Sequence, residues 1–556
     1  MSEGGISMFT RSAIRKFLSA AVSLLMFSAS PAAEGYSTDP TILKGDINSD
    51  GDVNSVDLSV MSLYLSGRAS ISREGFLSAD MDNDGSVDSI DLVKLRKLII
   101  SKDTKTSDTE TKPGIESPLS SPIDRTKYSF SSPINRFVDS SYVFTDNEFI
   151  KAPLSDMYGS LTSQGSGRVC IFYVDFPGCP YEYEPSLDEI RNAAFADESP
   201  SLSSFPHESI NAFYKRASKH RVNISGDVYR YTTLHHKGYY EENPSRAEFI
   251  DEVLTNMDEY VDFNSFDANG DKTIDAIIIS VPETAGEDHW WPCAGRYAGN
   301  FNNTIDGLAP GHIIVGNAEI KSADDSQNFV SSYIHELGHC MGLPDYYLYD
   351  QRSSEGLHGS AGFDTMDELF CDFSCASKLM LGWYRSNQIQ VYDYNGDDEQ
   401  TFILTDAQSE NGSCVIIPCG NAIADDLCSE FIVLEYTTLN NNNKSIPEKY
   451  WWLRFGNGIR AFHVDAETTS QNGYKEFIYR SGNNPATDYN RGRRFIRVIN
   501  DADIDNLYRC GNVLNSSVSG FRFYDSDGSE TVDPHVEVHI GELVGDSYII
   551  TIRKEG

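Results

Sequence analysis

His335, Glu336 and His339 stand in the run IHELGHCMGLPDYY, where two imidazoles four residues apart on a helix share one face and can reach a single zinc ion. Glu336, beside the first, is placed to hold a metal-bound water and take its proton, which is what metal-assisted hydrolysis requires. Gly342 suits a sharp turn at the end of that helix, and Asp345 then falls where a third ligand can reach the same ion. The competing reading is a buried helix that carries two histidines by accident. Four chemically constrained positions in eleven weigh against it.

The expected reaction is metal-assisted hydrolysis without a covalent enzyme intermediate. The metal polarises the carbonyl and acidifies the water, and Glu336 accepts the proton and passes it to the leaving group. An oxyanion donor is also expected, with His358, Tyr346, Tyr347 and Tyr384 as candidates among which the sequence does not choose. A third zinc ligand from Glu355 or Glu368 is the alternative to Asp345.

A second chemistry lies nearer the N-terminus. GDINSDGDVNSVDLSVMSLYLSG recurs as ADMDNDGSVDSIDLVKLRKLIIS, a repeat of 34 residues from Asp46 to Asp80. Asp46, Asn48, Asp50, Asn54 and Asp57 occupy loop positions 1, 3, 5, 9 and 12, and Asp80, Asp82, Asp84, Asp88 and Asp91 repeat them. Gly51 and Gly85 stand at position 6, and the carbonyls of Asp52 and Ser86 at position 7. Clustered carboxylates repel one another unless a hard cation sits among them, so each loop is expected to bind one calcium ion. Apolar residues at helical spacing follow each loop: Leu58, Met61 and Leu65, then Leu92, Leu95 and Ile99.

This duplicated unit, residues 41–102, resembles a type I dockerin, the module that plugs into cohesin domains of cellulosome scaffolds. The resemblance implies a cohesin partner on a scaffoldin, contacted at loop positions 10 and 11, here Ser55 and Val56 and then Ser89 and Ile90. The common Ser-Thr pair is absent, which leaves the cohesin unspecified. Two similar loops also imply binding in either of two orientations.

The elements that must position the zinc residues read as an α/β domain over 165–390. VCIFYVDF is a short apolar strand between Gly167 and Pro177. A helix with Ile210, Phe213 and Ala217 on one face leads to a second strand, and another carries Phe249, Val253 and Met257. DANGDKTIDAIIISV is an acidic loop running into a buried strand, with Asp267, Asn269, Asp271, the Thr273 carbonyl and Asp275 at calcium-loop positions 1, 3, 5, 7 and 9. A polar strand-entry turn is the simpler account, since no carboxylate occupies position 12. The zinc helix follows, expected to be capped by Asp324, Asp325 or Ser326 and packed through Phe329, Val330, Ile334, Leu337 and Met341. Met366 comes 21 residues beyond Asp345, ahead of the helical segment SCASKLMLGWY.

VCIFYVDF, FYKRAS…NISGDVY, DANGDKTIDA, HELGHCMGLPDYY and KLMLGW together resemble the immune inhibitor A family of secreted bacterial metallopeptidases. The resemblance implies a metzincin-like catalytic domain with a structural calcium site, zinc on His335, His339 and Asp345, Glu336 as base and Met366 in a methionine turn below the metal. Aspartate in place of the commoner third histidine partly neutralises zinc and should make its water less acidic.

The remainder of the chain fits export and modularity. Asp plus Glu number 83 against 45 Lys plus Arg, a net charge of −38 over 556 residues, which excludes nucleic acid as an expected partner. Residues 1–33 read as a signal peptide, with Arg11, Arg15 and Lys16 before an apolar run and SASPAA after it. That run is too short for a membrane span, and no later segment is long enough. Residues 103–125 read as a polar linker, and 126–164 as a strap or pro-segment. Residues 391–556 alternate as short strands, a sandwich or a sheet packed on the protease. There His463 beside Asp465 invites comparison with a site residue, and DSDGSETVD from Asp525 with a further cation loop. Ten cysteines, all beyond residue 165, permit disulfides of unreadable connectivity, and Cys371 with Cys375 could suggest a second metal site.

The chain therefore reads as multidomain: a small α calcium-loop dockerin, an α/β metzincin-like protease domain and a β-rich C-terminal region. Two functional classes follow. One is a secreted zinc endopeptidase acting on protein or peptide substrates and tethered to a cellulosome-type scaffold. The other is a noncatalytic, metal-stabilised binding or adhesion module, against which the intact Glu336 argues.

Overall fold

The computed structural model describes residues 43–48; then 51, 53, 57, 60–61, 71–81, 87, 91, 94–95 and 98; then 159–555. Within the last range, 200–201, 242–245, 284–289, 298–303, 348–359, 361, 420–428, 445, 447–455, 472–473, 478–492, 501–506 and 527 are not described. The expected signal peptide, linker and most of the strap lie outside the described residues. So do Asp50, Asp52, Asn54, Ser55, Val56, Asp82, Asp84, Ser86, Asp88, Ser89 and Ile90. The described residues fall into two compact units, 43–98 and 159–555.

The smaller unit shows the 34-residue repeat as repeated bonding. Asp57 Oδ1 accepts from the Ile47 N–H at 2.7 Å, and Asp91 Oδ1 accepts from the Met81 N–H at 2.7 Å, so position 12 closes onto position 2 in both loops. Asp57 and Asp91 are fully buried, and Asp46 and Asp80 nearly so. Ile47, Val53, Met61, Ala79 and Leu95 form the small apolar core, with helix α1 (Arg73–Ala79) between the loops.

The larger unit is built on a five-stranded sheet in the order β2-β1-β3-β5-β4. Its strands are β1 (Gly165–Asp175), β2 (Val222–Thr232), β3 (Ala276–Ser280), β4 (Cys293–Arg296) and β5 (His312–Gly316). All pairs are parallel except β4 with β5. Parallel strands covered on both faces read as continuous apolar runs, which explains VCIFYV. Val169, Ile171 and Tyr173 face one core with α2 (Leu187–Phe195) and α3 (Ile210–Ala217), while Cys170, Phe172 and Val174 face the other with α4 (Ala247–Met257). Strand β1 begins earlier than its apolar run, because pairing with β2 continues back to Gly165↔Val222.

Helix α5 (Gln327–Cys340) lies in the first core through Phe329, Val330, Ile334 and Leu337, as its apolar period requires. Its N-cap is Ser326, but the hydroxyl makes no capping bond, so the expected side-chain cap is corrected. Residues 321–325 instead close a turn in which the Lys321 N–H donates to the Asp325 carbonyl. At the other end Gly342 takes φ +100°, and the Leu343 N–H donates back to Gly338 O at 3.1 Å, a glycine-dependent helix stop.

Beyond α6 (Cys375–Met380) the chain forms two further sheets. One has the order β13-β10-β9-β8-β6, with β6 (Ile389–Val391), β8 (Cys414–Pro418), β9 (Glu430–Thr437), β10 (Gly458–Asp465) and β13 (Ile496–Val498). The other has the order β14-β15-β16-β7, with β7 (Glu399–Thr405), β14 (Val513–Leu514), β15 (Val536–Val544) and β16 (Ser547–Lys554). A two-stranded ribbon joins β11 (Thr468–Gln471) to β12 (Tyr474–Phe477). The two sheets enclose one core, through Ile432, Leu434, Phe402 and Ile550. The opposite face of the β13–β6 sheet, through Val433, Phe462 and Val464, joins the same core as α5. This sheet is thus covered on both sides, which accounts for the unbroken burial of β9 and β10. Among the described cysteines, Cys170, Cys340, Cys371, Cys375, Cys414, Cys419 and Cys510 are free thiols.

Candidate metal centre

Helix α5 presents His335 and His339 on one face, and the turn at Gly342 returns Asp345 beneath them. Asp345 Oδ1 lies 3.1 Å from His335 Nε2 and 3.2 Å from His339 Nε2. Ligand atoms of the three residues lie within 4.8 Å of one another, the sole such metal-competent group among the described residues. Neither Glu368 nor the Cys371/Cys375 pair belongs to it. Glu368 is held protonated to about pH 7 by burial and by Asp367. The Cys371 thiol donates to the Gly362 and Glu368 carbonyls, and burial keeps both thiols from ionising. Glu355 and His358 lie outside the described residues.

The second nitrogen of each ring determines what the first can do. His335 Nδ1 donates to the Thr365 carbonyl at 2.8 Å, and His339 Nδ1 donates to the Leu343 carbonyl at 2.7 Å. A carbonyl accepts only, so these bonds fix the tautomer and leave a lone pair on each Nε2 when the rings are neutral. Two lone pairs then face a carboxylate oxygen, a repulsive arrangement unless a cation is shared among them. A proton on His339 can fill that role in place of a metal. Burial alone would lower the pKa of His339, but Asp345 and Glu336 outweigh it and raise it to about 9. Burial would raise that of Asp345, and the two histidines instead hold it well below the usual carboxylate range. The donor set fits zinc, whose histidine ligands characteristically give their other N–H to a carbonyl or carboxylate.

Glu336 is buried beside this group, and its Oε2 accepts from the Ala294 N–H of β4 at 2.7 Å. The sulfur of Met366 lies under α5: a Cβ added at Gly338 would stand 2.5 Å from Met366 Sδ. The turn carrying Met366 is tied by Asp364, whose carboxylate accepts from the Met366 and Ser374 N–H groups at 2.8 Å each and from Ser377 Oγ at 2.6 Å. Tyr346 donates its own N–H to Met366 O, but its ring is buried and its hydroxyl meets Ser377. Tyr384 is also buried, beneath the Lys219 ammonium. Tyr347 is half-buried, its ring 6.2 Å from that of His335 and nearly parallel to it. His463 bonds Glu430 at 2.8 Å and packs against Phe523, on the sheet face turned away from α5, so it does not reach this centre.

Thr365, Asp364, Ala294 and Gly338 were not singled out from sequence. Only Gly338 carried a signal, because glycine inside a helix costs about 1 kcal/mol relative to alanine and implies a close approach.

In the third acidic loop, Asp267 accepts from the Gly270, Asp271 and Lys272 N–H groups, and Asp271 from that of Thr273. Asn269 Oδ1 accepts from Asp271, and Asp275 is buried with Oδ2 bonded to the Arg168 N–H and Oδ1 without a hydrogen bond. Burial, with added repulsion from Asp271 and Asp267, pushes Asp275 up to about 7. A cation would relieve that. The loop at Asp525 turns its carboxylate onto its own backbone, toward Ser526.

Residues 44–100 match the model of the dockerin type I domain. The chain thus carries a type I dockerin, a module that binds calcium and pairs with a cohesin, and dockerin-bearing proteins are generally extracellular or cellulosome-associated. No curated protein matches the chain. Among the described residues, no helix is long and apolar enough to cross a membrane.

Proposed function

We propose that the 159–555 unit is a zinc-dependent endopeptidase, related to the immune inhibitor A metallopeptidases, that the dockerin tethers to a cohesin-bearing scaffold outside the cell. The observation that carries this reading is the shared approach of His335 Nε2 and His339 Nε2 to Asp345 Oδ1, at 3.1 and 3.2 Å, with both tautomers fixed by carbonyls. When bound there, zinc supplies Lewis-acid polarisation of a carbonyl and an acidified water. The other roles belong to the chain. His335, His339 and Asp345 hold the ion. Glu336, fixed through one oxygen by Ala294, takes the proton from water and returns it to the leaving amine. Tyr347 is the phenol best placed to donate to the developing oxyanion, since Tyr346 and Tyr384 are turned into the core. Strand β4 ends the sheet, so an extended peptide can pair along its outer edge and pass Glu336.

The same reading places calcium at Asp267, Asn269, Asp271, Thr273 and Asp275, supported by the unbonded oxygen of Asp275. The test of the activity is cleavage of casein by the full chain, with and without a zinc chelator, beside the Glu336→Ala variant. Wild type should cleave, and lose activity with the chelator. The variant should bind zinc and cleave nothing. Turnover by Glu336→Ala would overturn the assignment of the base, and an inert wild type that holds zinc would favour a binding module.

A further inference from the structure

EFIVLEYT and GIRAFHVD form β9 and β10, and their antiparallel register sets Arg460 directly opposite Glu435. Residues opposite each other share a face, and this face is the one packed on the core of α5. Both side chains are almost fully buried, and their charged atoms stand 3.6 Å apart. Removing such a pair from water costs more than a loose contact returns, so its remaining contacts must account for it.

Contacts from both residues lead to one segment. Glu435 Oε2 accepts from the Cys375 N–H at 2.8 Å, a carboxylate at the first turn of α6. The Arg460 guanidinium carbon lies 3.4 Å from the centroid of the Phe363 ring. The β9–β10 connection adds Asn442, which donates to Asp372 Oδ1 at 3.0 Å, and Asn443, whose side chain accepts from the Asp372 N–H at 3.0 Å. Between these anchors lie Asp364, Thr365 and Met366, and the Thr365 carbonyl is the acceptor that orients His335.

We infer that Arg460 and Glu435, on the C-terminal sheet, are positioning residues for the metal centre: they hold the 363–375 segment and, through Thr365, the ring of His335. The C-terminal sheet is thereby a working part of the site. Its effect on catalysis rests on the zinc reading proposed above; its effect on the order of 363–375 does not.

The test uses the full chain with Arg460→Met, Arg460→Lys and Glu435→Gln, and Arg497→Met as a control pair-breaker at Glu530, away from the turn. Zinc affinity is measured by competition with a chromogenic chelator, kcat and KM on a casein-derived peptide, and amide hydrogen exchange over 363–375. Arg460→Met should weaken zinc binding at least tenfold and lower kcat at least tenfold with KM within twofold. Exchange over 363–375 should accelerate at least tenfold, and Arg460→Lys should recover part of each loss. If Arg460→Met does not fold, Glu435→Gln, which keeps its shape, decides by the same measures. Unchanged exchange and zinc affinity within twofold would overturn the inference, as would an equal loss in Arg497→Met. A wild-type chain that binds no zinc defeats the zinc reading, and the exchange arm alone then decides between support and refutation of the buttress.

Discussion

Position 338 shows how much of the centre depends on one absent side chain. A Cβ there meets Met366 Sδ at 2.5 Å, closer than real contacts allow, so Gly338→Ala must displace the methionine or the helix turn that carries both histidines. Overpacking of this kind costs about 1–3 kcal/mol. The expected outcome is a lower melting temperature together with weaker zinc retention on dialysis. Unchanged metal content would show that Met366 moves without consequence for the ligands. Tyr347→Phe is the complementary case, because the stacked ring is kept and only the phenol is lost. If that phenol stabilises the oxyanion, kcat should fall by about 10²-fold, the scale of losing one preorganised donor, with KM nearly unchanged. A fall in KM-dependent binding alone would assign Tyr347 to substrate contact.

At the scale of elements, the turn over 363–366 organises what α5 presents. Asp364→Ala removes an acceptor for three buried donors at once, the Met366 and Ser374 amides and the Ser377 hydroxyl. Buried donors left unbonded cost about 1–3 kcal/mol each, so the unit should be destabilised by several kcal/mol in chemical denaturation, whereas Asp364→Asn should retain part of the loss. What could be read from sequence follows the same division. His335, His339 and Asp345 are set by one helix and one glycine turn, so local spacing sufficed to name them. Thr365, Ala294, Glu435 and Arg460 reach the site through strand register and a long return of the chain, which no local pattern encodes. The β1 run was legible because burial on both faces leaves a continuous apolar string, and α5 because its apolar residues recur at helical spacing. Its expected side-chain cap was not found: Ser326 makes no capping bond, and the chain enters the helix from a backbone turn over 321–325.

The acidic loop before β3 gives the element-scale pH effect. With Asp275 raised to about 7 from an ordinary value near 4, the folded chain holds more protons than the unfolded chain between those limits. Stability without calcium should therefore fall as pH rises across that window, by up to about 4 kcal/mol from this group. Asp275→Asn should remove that part of the slope, and calcium should flatten it in the wild type by holding the carboxylate ionised. Melting curves at pH 5 and pH 8, with calcium and with chelator, check the sign. A wild-type slope indifferent to calcium would count against an ion at this loop.

For the whole molecule, the proposed division of labour is between a calcium-closed dockerin and a unit whose metal centre is braced by its own C-terminal sheet. The dockerin core is small, five buried apolar residues among those described, and an apolar core of that size contributes little alone. Its stability should rest on calcium held by the buried positions 1 and 12 of each loop, Asp46, Asp57, Asp80 and Asp91. Replacing Asp57 and Asp91 together by alanine also strips the Ile47 and Met81 amides of their acceptors. In calorimetry the double variant should lose the calcium-dependent transition and keep the transition of the 159–555 unit. Its cleavage of a soluble peptide should stay within twofold of wild type, while retention on an immobilised cohesin should drop at least a hundredfold. The two readouts separate if, as proposed, targeting and chemistry are carried by different cations in different units. If peptide cleavage collapsed together with cohesin binding, the dockerin would be acting on the catalytic unit itself, and its proposed role as a tether alone would have to be abandoned.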